Sequence, residues 1–150
     1  MALEWLKQRY NEVTANLKTE VTKFKNKSFL EAVVAGCALV AHADGVVRPE
    51  EKQKMMGFLR NSDVLSVFSV EEVIGIFDKY AKQFEFDHQI GQASALQVVA
   101  KLKGTAAEAR LMVRGCCAIG AADGNFDDNE KATVRKICAE LGLNPKDFDL

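Results

Sequence analysis

The chain has 150 residues, the usual length of one domain, and its 48% hydrophobic content is enough for a buried core. Its net charge of -1 argues against nucleic acid as the main partner, because proteins that bind nucleic acid carry a clearly basic face. No apolar run reaches the roughly 18 residues that a membrane span needs, and the start lacks a secretion signal, so the sequence predicts a cytoplasmic protein.

The first 27 residues predict an amphipathic helical segment. Their apolar residues recur at spacings of three and four, which places them on one helix face: Leu3, Leu6, Tyr10, Val13, Leu17, Val21 and Phe24. The same segment carries six Lys and Arg against three Glu. The stripe is expected to pack on the rest of the chain or on a partner helix. The basic residues either form an ordinary solvated face or contact an acidic partner or anionic lipid at the inner membrane.

Helical periodicity extends nearly throughout the chain, so residues 28–150 are predicted to form a single compact all-α domain. The whole chain is predicted to contain about seven helices. The apolar stretch 29–43 predicts a central, buried helix. Gly142 predicts a helix end and Pro145 the start of a last turn. Four pairs have the spacing of N-terminal capping boxes: Ser28 with Glu31, Ser69 with Glu72, Thr105 with Glu108, and Asp127 with Glu130.

The main feature of the sequence is an internal repeat with an offset of 79 residues. Eight identities fall within 19 positions, at residues 34, 36, 37, 43–45, 51 and 52 of the first copy. Each copy predicts a buried helix, then Ala-Asp-Gly, five further residues, Glu and a second helix. The copies span about residues 29–59 and 108–138, and we expect them to be related by an approximate two-fold axis.

Four acidic residues recur in the two copies, Asp44 and Glu51 in the first and Asp123 and Glu130 in the second. Their spacing matches the second half of a calcium-binding EF-hand loop. The positions of the first two EF-hand ligands hold residues without a carboxylate, which excludes a full EF-hand: Val40, His42, Ile119 and Ala121.

A different arrangement of the same acidic residues stays open. If the two loops meet in space, their carboxylates suit Ca²⁺ or Mg²⁺, with Asp127 and Asp128 as further ligands in the second copy. Two other interpretations are also consistent with the spacing. The carboxylates can serve only as helix caps and turn residues, or they can form an acidic patch that docks a protein.

The segments AHADGVVRPEE at 41–51 and GAADGNFDDNE at 120–130, each at the end of an apolar helix, resemble the tellurite-resistance protein B family. The resemblance extends from about Phe29 onward. It implies an all-helical fold, a cytoplasmic location and a role in the bacterial stress response to tellurite, linked with resistance to phage and colicins. It also implies metal binding by the four acidic residues, and partners among the other tellurite-resistance proteins, including a membrane protein.

We therefore expect a non-enzymatic adaptor that responds to a divalent cation, with Ca²⁺ or Mg²⁺ as its ligand and no other cofactor. A constitutive scaffold without a ligand is the first alternative. Tellurite reduction by thiols is the second, and it requires exposed cysteines of low pKa. The four cysteines lie instead in apolar stretches without a Cys-x-x-Cys pair, which predicts small buried side chains: Cys37, Cys116, Cys117 and Cys138.

Overall fold

The computed structural model describes residues 27–43, 45, 49–60, 68–121 and 126–150. These residues form six α-helices and two short 3-10 turns: α1 Lys27–Ala41, α2 Pro49–Arg60, α3 Val70–Phe86, α4 His88–Val99, a turn at Ala100–Leu102, α5 Ala106–Ala121, α6 Asp128–Leu141 and a turn at Pro145–Phe148. The described ranges contain no strand, so the all-α prediction is confirmed. The helix predicted within residues 1–27 lies, apart from Lys27, outside the described residues.

The core is built around α1. Twelve of its fifteen residues are buried, because apolar or small side chains occur on every side of this helix. It packs against α3, α4, α5 and α6. The prediction of a central buried helix is therefore confirmed. Within the described ranges, no helix combines the length and the hydropathy that crossing a membrane requires.

The repeat in the sequence is a repeat of helix pairs in the structure. α1 and α5 begin 79 residues apart, and so do α2 and α6. The first helices of the two pairs pack on each other, and each also contacts the second helix of the other pair, α1 with α6 and α5 with α2. Such an exchange of contacts is what an approximate two-fold axis between two copies produces.

Several predicted helix boundaries are confirmed. The Asp127 carboxylate accepts from the Glu130 amide at 2.8 Å, and the Glu130 carboxylate accepts from the Asp127 amide at 3.1 Å, which completes the capping box of α6. Ser69 caps α3 through its hydroxyl oxygen. Gly142 ends α6 with a φ of 70°, in the left-handed region, and Pro145 begins the last turn.

Two of the predicted capping boxes are wrong. α1 begins at Lys27, so Ser28 lies inside its first turn. The Glu31 carboxylate accepts from the hydroxyl of Tyr80 on α3, at 3.0 Å. Thr105 does precede α5, but its hydroxyl donates to the carbonyl oxygen of the preceding 3-10 turn, at 2.8 Å. In both cases a partner outside the expected pair binds the side chain.

α3 and α4 are joined by a single residue, Asp87. Its amide closes the last turn of α3, at 3.0 Å. Its carboxylate accepts from the amides of Gln89 and Ile90, at 2.8 and 3.1 Å, and so caps α4. One turn later, Gly91 lies against α3, and a Cβ placed on it would come within 2.7 Å of the backbone of Phe84. A side chain at this position is therefore incompatible with the corner.

Candidate functional site

The two predicted acidic loops connect the paired helices, one between α1 and α2 and the other between α5 and α6. Asp44 and Asp123 lie outside the described residues, so their role stays a prediction. Glu51 and Glu130 are described, and each is the third residue of the second helix of its pair. The structure therefore places these two glutamates at equivalent positions in the two copies.

In the second copy, Glu130 acts as a helix cap. Its Oε1 accepts from the backbone amide of Asp127, and Asp127 Oδ1 accepts from the amide of Glu130. These bonds satisfy two of the amides that a helix start leaves without an intrahelical acceptor. Asp128, the other acidic residue predicted for this loop, is exposed in the first turn of α6. One oxygen of each capping carboxylate is thus bound to the helix itself.

In the first copy, the reciprocal box cannot form. Arg48 stands at the position that Asp127 occupies in the second copy, and a guanidinium has no acceptor for the amide of Glu51. Glu51 is half-buried, and its Oε2 is shielded from solvent. Shielding a carboxylate oxygen from solvent costs free energy unless protein groups replace the water molecules that it would otherwise bind. The two glutamates therefore share a position but not an environment.

The lysine that follows each glutamate lies over an aromatic ring. Lys52 Nζ is 5.9 Å from the centroid of Phe77 on α3. Lys131 Nζ is also 5.9 Å from the centroid of Phe126. Both distances are within the range of a cation–π interaction. The two lysines thus make the same type of contact, although Phe77 lies on α3 outside the repeat and Phe126 lies within the second copy.

Phe126 anchors the end of the second loop. It packs against the hydrophobic core. Its ring lies over Gly120 of α5, where an added Cβ would come within 2.9 Å of it. The absence of a side chain at Gly120 therefore leaves room for the Phe126 ring against α5. Val47, at the corresponding position of the first copy, lies outside the described part of the chain.

His42, directly before the first Ala-Asp-Gly, is a packed residue whose contacts the sequence did not reveal. It is 5% exposed, and its ring stacks on Phe84 with a centroid distance of 4.3 Å. Its Nδ1–H donates to the carbonyl oxygen of Ala38 at 2.7 Å. Burial lowers the pKa of His42, and the bond to Ala38 opposes that shift only in part. A neutral imidazole therefore fixes the start of the first loop.

Three of the four thiols are buried, as predicted: Cys37, Cys116 and Cys138. Burial raises the pKa of Cys37 to about 12 and that of Cys138 to about 11, and it raises the pKa of Cys116 well above its ordinary value. Cys117 is half-buried. Because the thiolate is the reactive form of cysteine, these environments disfavour thiol chemistry at the three buried positions.

Among the residues that the structure describes, no group of three or more His, Cys, Asp or Glu side chains is arranged to hold a metal ion. Glu51 and Glu130 are among these described residues. The predicted cluster of four carboxylates also includes Asp44 and Asp123, which lie outside them, so the cluster stays a prediction.

Comparison with known proteins identifies the family. A family model described as tellurite resistance protein TerB matches residues 30–150, which include nearly all of both helix pairs. The chain belongs to the TerB family. A similar curated protein, the tellurium resistance protein TerB of an Alcaligenes species, is 43% identical over 102 residues, which cover 67% of this chain and 84% of that protein. No solved structure matches the chain. The TerB resemblance of the two Ala-Asp-Gly segments is thereby confirmed.

Proposed function

We propose that this TerB-family chain acts in tellurite resistance as a non-enzymatic adaptor whose two acidic loops bind Ca²⁺ or Mg²⁺. The observation that carries the proposal is the duplicated framework: each helix pair has a glutamate on the third residue of its second helix, beside a loop that also contains an aspartate. Carboxylates from both sides of a short loop suit a hard cation.

The packing of the helix pairs supports a route from cation to partner. A cation held between the end of one helix and the start of the next biases the angle between them. Since α1 packs on α6 and α5 packs on α2, a change within one pair alters the other. The proposed partners are other tellurite-resistance proteins, including a membrane protein. The adaptor is proposed to act in the cytoplasm or at the inner membrane surface.

The burial of three cysteines supports the non-enzymatic part of the proposal. Thiol-based reduction of tellurite needs accessible thiolates, whereas burial raises the pKa of Cys37, Cys116 and Cys138. A constitutive scaffold without a ligand is the second candidate function. The capping box of Asp127 and Glu130 favours it, because the cap alone gives both residues a structural role.

The first test is a titration of the isotope-labelled full chain with Ca²⁺ and with Mg²⁺, followed by amide chemical shifts. We expect saturable shifts at residues 44–51 and 123–130. Glu130→Gln should weaken them, although glutamine can still serve as the capping-box acceptor. Glu140→Gln removes the same charge from an exposed position of the same helix and should bind as the wild type does.

The second test is growth on tellurite of cells that carry Asp44→Asn with Asp123→Asn. An adaptor gated by the cation should lose resistance in this double variant while it remains folded. Wild-type resistance, together with an absence of shifts at millimolar cation, would overturn the cation-binding role and leave the constitutive scaffold.

A further inference from the structure

An apolar groove lies between α2 and α3. It has a volume of about 450 Å³. Its apolar lining comes from Met55 and Met56 of α2 and Ile74 and Phe77 of α3, with Lys52 and Gln53 on the α2 side and Asp78 on the α3 side. Ile74 is 46% exposed, and Val70, one turn earlier on the same helix, is 37% exposed. Apolar surface of this kind is covered more favourably by another apolar surface than by water.

The α3 edge of the groove is acidic. Glu71, Ile74 and Asp78 follow one another at spacings of three and four, so they lie along one face of α3. Glu71 and Asp78 are both exposed, and Asp78 lines the groove. A helix that fits here therefore needs an apolar stripe with basic residues beside it.

We propose that residues 1–26 of the same chain cover this groove as an amphipathic helix. The segment carries the stripe from Leu3 to Phe24 and an excess of basic residues. Lys7 follows Leu6 of the stripe and, at about 100° of rotation per helical residue, stands beside the stripe. That position lets Lys7 face the acidic edge formed by Glu71 and Asp78.

The start of α1 lies close enough to α3 for residues 1–26 to reach the groove. α1 begins at Lys27, and one turn later Glu31 binds Tyr80 of α3, the same helix that contributes Ile74 to the groove. A helix is about 10 Å across, and an extended residue spans about 3.3 Å. A few extended residues before Lys27 therefore suffice to cross α3, and most of the stripe remains to fill the groove.

The deciding experiment is a methyl NOE spectrum of the full chain with labelled Met, Ile, Leu and Val methyl groups. We expect NOEs from the Met56 and Ile74 methyl groups to Leu6, Val13 or Leu17, unchanged on dilution. NOEs that vanish on dilution would assign the groove to a second copy and overturn the proposal. Groove NOEs that come only from Leu65, in the link between α2 and α3, would overturn it as well.

Paired variants give the control. Ile74→Asp should abolish these NOEs and lower the heteronuclear NOE values of residues 3–24, because a charge in the groove repels the stripe. Ile90→Asp changes an isoleucine of similar exposure, 49%, outside the groove and should leave both readouts intact. Val13→Asp, on the stripe, should act like Ile74→Asp, whereas Ala15→Asp, off the stripe, should not. Equal effects within either pair would overturn the proposal.

Discussion

His42 connects the end of the central helix to the first acidic loop through a stacked ring and one hydrogen bond. Burial lowers its pKa below the ordinary value of 6.5, so the unfolded chain binds a proton more readily than the folded chain does. The stability that depends on the neutral ring is therefore fully present above pH 6.5 and is lost as the pH falls from there toward the folded-state pKa.

We predict that the free energy of unfolding of the wild type, measured with urea, falls as the pH is lowered from neutral through the unfolded-state pKa of 6.5. His42→Phe should reduce this dependence, because phenylalanine keeps the stack on Phe84 and does not titrate. The Ala38 carbonyl still accepts from the backbone amide of residue 42 in that variant. His88→Gln removes the other histidine, whose ring contacts Phe84 edge-on at 5.3 Å and whose charge adds to the lowering of the His42 pKa, so this variant should keep most of the dependence. An unchanged pH dependence in His42→Phe would contradict the assignment.

Asp127 offers a test that separates a helix cap from a charged ligand. Asp127→Ala removes the acceptor for the Glu130 amide and should lower the unfolding free energy by about 1 kcal/mol. Asp127→Asn keeps an acceptor, so its unfolding free energy should stay within roughly a few tenths of a kcal/mol of the wild-type value. Urea unfolding without divalent cations measures both. A loss in Asp127→Asn as large as that in Asp127→Ala would show that the charge itself stabilises the loop.

The sequence is informative at the residue scale where both partners are close along the chain. Asp127 with Glu130 and Gly142 were predictable because their capping partners lie within one helical turn. Glu31 was mispredicted because Tyr80, which binds it, belongs to another helix. The stack of His42 on Phe84 is also a contact between residues on different elements, and no local sequence spacing predicts it.

At the element scale, the corner between α3 and α4 depends on one glycine. Gly91→Ala would place a Cβ within 2.7 Å of the Phe84 backbone, and a rotamer change cannot relieve a clash with backbone. We predict a loss of about 1–3 kcal/mol or more in unfolding free energy.

Gly75→Ala, on α3, is the matched control for Gly91→Ala. An added Cβ there meets nothing within 4 Å. The substitution should therefore stabilise the protein by about 0.5–1 kcal/mol, since alanine favours a helix interior over glycine. Thermal or urea unfolding of both variants decides the matter, and equal stability of the two would refute this account of the corner.

The helix pairs were predictable from the repeat because the same pattern of an apolar helix, Ala-Asp-Gly and Glu occurs twice, 79 residues apart. The candidate site was predictable only in part. Sequence spacing identified Glu51 and Glu130 as equivalent, but their different surroundings depend on which residue precedes each helix and on how each loop packs. Whether the two acidic loops meet depends on tertiary geometry that spacing does not contain.

At the scale of the whole molecule, the core should protect its thiols. We predict that iodoacetamide modifies Cys117 first in the native protein, because Cys37, Cys116 and Cys138 are buried. Peptide mass spectrometry after brief labelling, with and without denaturant, measures this order. Rapid native-state modification of Cys116 would contradict the buried environment and favour the thiol-based alternative.

The shared cap at Asp87 has a consequence for how the molecule opens. Because this residue ends α3 and begins α4, there is no linker in which one helix could unwind while the other stays intact. The two helices should therefore behave as one cooperative unit in native-state hydrogen exchange, and their most protected amides should report a common opening free energy. A fluctuation that frees α4 would then also remove Phe84 from the ring of His42, and so release the start of the first acidic loop.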